Sequence, residues 1–432
     1  EMLHFAGDFT GYNGTEEDFA YKLSARYGNI TYEEAKNVYD SIMYIRFADT
    51  DKGRSYYKKN VLVLYRKAAE EIYKELKKKK RIVFAITNGA LLLIMAACLI
   101  TTAILSNTLV SQKEASRWRG ESDMEFSQIS CFIPVDEKIG LEKVAAFRTK
   151  LTEELHKAAL DIDNDSTLFV DAWSCTGKVN VSSDNGKGEA AVIAVGGEFF
   201  DFHPIRLISG SYITQRDLMK DRVLLDEDLA WLLYGGTDIA GLSMKINGVP
   251  YMIAGVVERE QDKFNTAAYT SGRGLYMSYD GYSQLVEDAG ITCYELVMAN
   301  PVKDFALGVA KKSFPIGRGE IVENSRRFEF GRLLKLAKQF GSRSMQTMGV
   351  IYPYWENAAR SVEDWCALLT LVAVVCAALP IITALVLLIR MLARGKEKLE
   401  DDVVPKLVEN TQEAIRVRQR RRWEKKHGSH EK

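Results

Sequence analysis

The first residues that could do chemistry are the alternating acids of DIDNDS, where Asp161, Asp163 and Asp165 stand as the first three oxygen ligands of a calcium loop would. The frame then fails. Ser166 occupies the position that needs glycine, and Ala172 the position of the closing glutamate, so a solvated turn is expected and no metal site is assigned. The five histidines, His4, His156, His203, His427 and His430, are scattered, and no H-E-x-x-H or G-x-S-x-G frame occurs. Without a nucleophile, base and orienting group that can be grouped, the chain is expected not to be an enzyme, with no catalytic residues and no cofactor. The six cysteines, Cys98, Cys131, Cys175, Cys293, Cys366 and Cys376, show no C-x-x-C spacing for thiolate metal binding. Cys131 and Cys175 fall on two predicted strands flanking one predicted helix. They are either a disulfide pair of an oxidising compartment or, with Cys293, buried thiols acting as small apolar groups.

Any such site must be carried by elements that divide the chain between compartments. Ile82 to Ser106 and Cys366 to Ile389 are uncharged runs, each long enough to cross a hydrocarbon core of about 30 Å. Lys74, Lys77 to Lys80 and Arg81 precede the first, and Arg390, Arg394, Lys396 and Lys398 follow the second, which marks those flanks as cytoplasmic. The chain opens on Glu1 with no charged-then-apolar leader, so targeting is expected from an internal segment. The expected organisation is a helical cytoplasmic region at 1–80, a span at 81–106, an extracytoplasmic domain at 107–364, a second span at 365–390 and a basic cytoplasmic tail at 391–432. Both ends then lie in the cytoplasm, in a cell-membrane protein. Neither span contains an ionisable residue other than cysteine, which argues against a proton relay; Pro380 is expected to kink the second.

Lys plus Arg equals Asp plus Glu at 58 each, so net charge gives no argument for a nucleic-acid partner. Within residues 1–80, Thr31 and Glu34 fit a capping box, and Ala35, Val38, Tyr39, Ile42 and Ile45 share one helical face. Val61 to Lys80 reads as a helix running into the first span. The tail carries RVRQRRRWEKKH, suited to anionic lipid, to a partner, or simply to water. Between the spans, strand and helix patterns alternate and predict an α+β domain: strand Phe126–Phe132, helix Leu141–Leu160, strand Leu168–Val181, a strand-rich stretch, strand Tyr294–Ala299 and helix Val302–Ser313. TLVSQKEASRW has no helix breaker before Gly120, so the first span is expected to continue outward as a stalk.

One block of about sixty residues carries a resemblance. Phe199-Phe200, the LISG segment ending at Gly210, Thr214 with Asp217, and the hydrophobic Val223 to Leu225 occur in order, followed by Asp238, Gly241, Met244, Ile246, Gly248, Tyr251, Ile253 and Gly255. Asn247-Gly248 reads as a hairpin turn, and the alternation of Met244, Ile246, Tyr251 and Ile253 as one buried face, which is packing rather than catalysis. The block resembles the periplasmic core domain of MacB/FtsX-type ABC-transporter permeases, and the order span, domain, span extends the resemblance over residues 82–390. It implies a non-catalytic permease-like subunit of a transport, efflux or mechanotransmission complex. No G-x-x-x-x-G-K-[ST] occurs, so the motor implied is a separate ATPase chain. The single span after the domain, where the family carries more, implies a second permease chain or a homodimer. The alternative is a membrane-anchored binding or regulatory module without transport.

Overall fold

The computed structural model describes residues 15–26, 30–47, 51–121, 123–137, 139–158, 168–269, 273–398 and 404–427. The DIDNDS segment lies outside them. Two units are described separately, one of residues 94–378 and one of 1–93 with 379–432.

In the second of these, α1 (Glu16–Arg26) and α2 (Tyr32–Phe47) pack through Phe19, Leu23, Ala35 and Val38, with the Phe19 and Tyr39 rings 5.5 Å apart. The Thr31–Glu34 box closes: Glu34 N donates to Thr31 Oγ1 at 3.3 Å and Thr31 N to Glu34 Oε2 at 3.1 Å, satisfying two amides the helix start would otherwise orphan. α3 (Asp51–Thr108) is continuous and carries the first apolar run.

The larger unit is a mixed sheet. After α4 (Glu114–Arg119) come β1 (Phe126–Phe132), α5 (Leu141–Lys157), β2 (Phe169–Ser182), β3 (Lys187–Gly197), α6 (Phe199–Phe202), β4 (Leu207–Gly210), β5 (Arg222–Asp226) and α7 (Glu227–Tyr234). Then follow β6 (Ser243–Ile246), β7 (Val249–Val257), α8 (Lys263–Ala268), β8 (Gly274–Ser278), α9 (Tyr279–Leu285), β9 (Cys293–Ala299), α10 (Phe305–Ser313), β10 (Glu320–Glu323) and α11 (Phe330–Leu336). α12 (Tyr354–Lys398) carries the second apolar run, and α13 (Val404–His427) is the basic tail. The strand order is β10-β1-β9-β2-β3-β8-β5-β7-β4, with β6 bridging β2 and β7.

Alternation along each strand sends side chains to two cores. Ile129, Cys131, Trp173, Cys175, Val192 and Leu275 enter one, under α5, α7 and α10. Phe132, Ala172, Cys293, Tyr276 and Val322 enter the other, against α6 and the first turns of α12. Asp171 ties α5 to the sheet: Arg148 grips its carboxylate with Nε at 2.8 Å and Nη2 at 2.6 Å, and Tyr294 Oη donates to it at 2.7 Å.

Two expectations are corrected. The first span does not continue as a stalk: α3 ends at Thr108, Leu109 buries against Leu333, Val362 and Cys366, and a 3₁₀ turn leads into α4. No breaker residue is needed, because Leu109 burial and the Gln128 side chain hold the turn; Gln128 accepts from Glu114 N at 2.9 Å and donates to Ser111 O at 2.7 Å. The helix that extends into the domain is the second, which starts twelve residues before Cys366. The Cys131–Cys175 disulfide is not formed, and both thiols are free and buried. The helix between β1 and β2 returns the chain parallel, leaving a gap that β9 fills antiparallel to both. Two strand spacings, about 10 Å, then separate the cysteines, beyond the reach of a disulfide.

Candidate functional site: the charged root of the second membrane helix

Pro353 ends an extended segment, and the WENAARSVED sequence of the first turns of α12 faces the domain rather than water. Ala358, Ala359 and Val362 are fully buried, as expected of a docked helix, yet Glu356, Arg360, Glu363 and Asp364 are buried among them at three-to-four spacing. Arg327, which follows β10, enters this group with 1 % of its surface exposed. Its Nη2 lies 2.8 Å from both Glu356 oxygens, and its Nε lies 3.5 Å from Glu363 Oε1.

The other arginines complete the set. Arg360 Nε donates to Glu356 Oε1 at 2.6 Å, and Nη2 to Glu320 Oε2 at 2.8 Å, with the guanidinium 3.8 Å over the Tyr352 ring. Arg343 Nη2 reaches Glu363 Oε2 at 2.8 Å and Asp364 Oδ1 at 3.0 Å, and Arg332 lies 3.9 Å from Glu363. Four guanidinium groups thus meet four carboxylates. Burial alone would push Glu320 up, but the Arg360 charge and the Tyr352 hydroxyl outweigh it and hold Glu320 below the usual carboxylate range. Burial likewise opposes the Arg343 charge, and Glu363 outweighs it. Such a cluster adds little net stability over an apolar core, but removing one partner leaves the others buried without compensation. Asn357 extends it by accepting from Met345 N at 2.8 Å, holding Met345 at φ 58°, a left-handed conformation.

Aromatic contacts join the same helix turn to the sheet. Trp355 lies 5.6 Å from the Phe199 ring and 4.4 Å from the His203 ring. His203 Nε2 is 2.5 Å from Glu295 Oε2 on β9, and Ser130 Oγ donates to Glu295 Oε1 at 3.0 Å. His203, unplaced by its position in the sequence, is therefore a buried link between β9 and α12.

With span, domain and span laid out this way, the comparison with known families is decisive. The family model of the MacB-like periplasmic core domain matches residues 84–306. The chain belongs to this family. It is accordingly a membrane-embedded component of the MacB/FtsX type of ABC-transporter permease. Solved MacB-like domains are similar at low identity. The extracellular domain of the noncanonic ABC-type transporter YknZ from Gram-positive bacteria is 11% identical over 44% of this chain and 92% of that one, with a TM-score of 0.31. The periplasmic region of MacB from Actinobacillus actinomycetemcomitans is 13% identical over 51% of this chain and 94% of that one, at 0.32. No curated protein sequence matches.

Within the MacB-like domain, the residues singled out in sequence gather around β4, β6 and β7 and the aromatic bridge. Phe199 and Phe200 are 5.4 Å apart, and Phe200 stacks on Tyr212 at 5.0 Å. Gly210 pairs with Gly255 across β4 and β7, where a Cβ on either would meet a backbone oxygen, at 2.1 and 2.4 Å. Asp217 closes a turn by accepting from Thr214 N at 3.0 Å. Asn247 and Gly248, both at positive φ, form the two-residue turn between β6 and β7, and Gly241 N donates to Ile253 O at 2.8 Å. Met244, Ile246, Tyr251 and Ile253 are all buried, and Tyr251 Oη donates to Gly281 O at 3.4 Å. None of these residues enters the charged root, which lies beyond the matched stretch. The root was missed in sequence, although acids and a base at helical spacing inside an apolar run were a readable signal. Among the described residues no three His, Cys, Asp or Glu side chains group to hold a metal ion.

Proposed function

We propose that this chain is a non-catalytic, permease-like subunit of an ABC-type complex, driven by a separate ATPase chain and working by mechanotransmission. The observation that carries the reading is the root of α12. A helix long enough to cross the membrane is clamped, through Arg327, Arg343 and Arg360, to β10 and the loop after α11, so a shift of the helix along its axis is passed to the sheet. Family membership supports the transport class, and the basic flanks at Lys77–Arg81 and Arg390–Lys398 support cytoplasmic ends where a motor would engage. The two spans support assembly with another permease chain or a second copy.

Gentle solubilisation from the native membrane, followed by mass spectrometry of what co-purifies, tests this. An ABC ATPase at stoichiometric amounts is expected. Recovery of the chain alone, or with soluble extracytoplasmic proteins only, overturns the reading in favour of a membrane-anchored binding or regulatory module.

A further inference from the structure

We infer that the cavity between the sheet and the root of α12 is a binding site for a neutral, ring-bearing apolar molecule of small-drug size. The floor follows from strand register. Thr176 and Lys178 of β2, Ala191 and Ile193 of β3, and Gly274 and Tyr276 of β8 are cross-strand neighbours, so they lie on one face, opposite the core that holds Val192 and Leu275. The roof is the segment from Met345 to Asn357 that leads into α12, and Ala268 and Tyr269 form an end wall. The enclosed space is about 490 Å³, within the range of small-molecule sites.

The lining selects the ligand. Tyr269, Tyr276, Tyr352 and Tyr354 supply aromatic walls, and Tyr269 is stacked on Tyr354 at 4.3 Å, leaving a rigid ring surface at little entropic cost. Four ionised side chains reach the cavity, and each already has a protein counter-ion: Lys178 with Glu189, Asp226 with Arg259, and Glu258 with Arg206. A charged ligand would lose hydration and find no unmatched partner, whereas a neutral ring system loses only unfavourable contact with water. The rim is open to such a molecule, with Met345 and Ile351 45% and 43% exposed.

The roof is also the clamp. Met345 is held in its left-handed conformation by Asn357 of α12, and Tyr352 Oη donates to Glu320 at 2.6 Å. An occupant therefore touches the segment that positions the membrane helix. That consequence rests on the mechanical reading above, but occupancy does not, since it is read on the chain itself.

Photolabelling of the full chain in lipid nanodiscs with benzophenone, followed by peptide mapping, tests the site. Saturable labelling of peptides containing Met345 or Ile351 is expected. It should fall about tenfold in Thr347→Trp or in Ile351→Trp, two substitutions at the exposed rim that fill the cavity mouth without entering the core. 4-Benzoylbenzoate, the same rings with a carboxylate, should label these peptides at least several-fold less. Labelling confined to the apolar runs of α3 and α12, or unchanged by both tryptophan variants, overturns the proposal, and equal labelling by the carboxylate overturns the assignment of a neutral ligand.

Discussion

The β6–β7 hairpin and the root of α12 hold their neighbours by opposite means. The hairpin uses shape: alternating apolar side chains, a two-residue turn, and glycines where strands must touch. The root uses charge, with four arginines and four carboxylates mostly withdrawn from water. The hairpin lies inside the family-matched stretch and the root outside it. Shape complementarity spreads its hold over many small contacts, whereas a buried ion cluster concentrates it in a few groups that are left uncompensated when one partner is lost. The structure thus joins a scaffold held by shape to a helix root held by charge.

The comparison predicts unequal damage. Arg327→Met should be the most destructive, costing about 3–5 kcal/mol because Glu356 and Glu363 are left buried against fewer cations; thermal unfolding of the purified chain measures it. A loss below about 1 kcal/mol would show that the root is wetter than its geometry and remove the contrast.

Two carboxylates should then give pH slopes of opposite sign. Burial, only partly offset by the amides of Leu229 and Gly274 and by Arg259, pushes Asp226 up to about 6. The folded state thus binds a proton that the unfolded state releases above its own lower pKa. This contribution is present at low pH and lost as pH rises through about 6, on the order of 1–3 kcal/mol. Asp226→Asn should flatten that slope. Glu320 is depressed in the folded state, so its contribution is present at neutral pH and lost as pH falls through the usual carboxylate range and below. With its side chain 46% exposed the effect is smaller, about 1 kcal/mol at most. Urea midpoints between pH 3 and 8, for Asp226→Asn, Glu320→Gln and the parent, separate the two.

In the hairpin region, Gly210→Ala should cost about 1–3 kcal/mol, since it adds a clash with Ala254 O to a φ of 78°. Gly248→Ala meets nothing within 4 Å and pays only for its φ of 88°, about 1 kcal/mol. Equal losses would mean that strand contact is not what Gly210 serves. The smallest effect concerns the thiols. Burial pushes Cys175 up to about 12 and Cys131 further. Neither should react with a membrane-impermeant maleimide until the chain is unfolded.

Much of the MacB-like domain was legible in sequence. Phe126–Phe132 is the strand it was expected to be, the helix expected over Leu141–Leu160 is described over Leu141–Lys157, and the alternation of Met244, Ile246, Tyr251 and Ile253 points where period two sends it. The segment from Pro315 to Pro353 was not read at all. Its strand is four residues long and its helix seven, too short for a period to show. Glu320, Arg327, Arg332 and Arg343 of the charged root, and most of the roof of the cavity, come from this segment.

By itself the sequence determined the two apolar runs, the basic flanks, the strand and helix periods between them and the turn at Asn247-Gly248, because these follow from composition and spacing within a few residues. Only the tertiary structure decided that β9 lies between β1 and β2, that the helix bends away at Leu109, and that Arg327 meets Glu356. Those outcomes depend on groups distant in the chain competing for the same space and the same charges, and local spacing does not encode which of them meet.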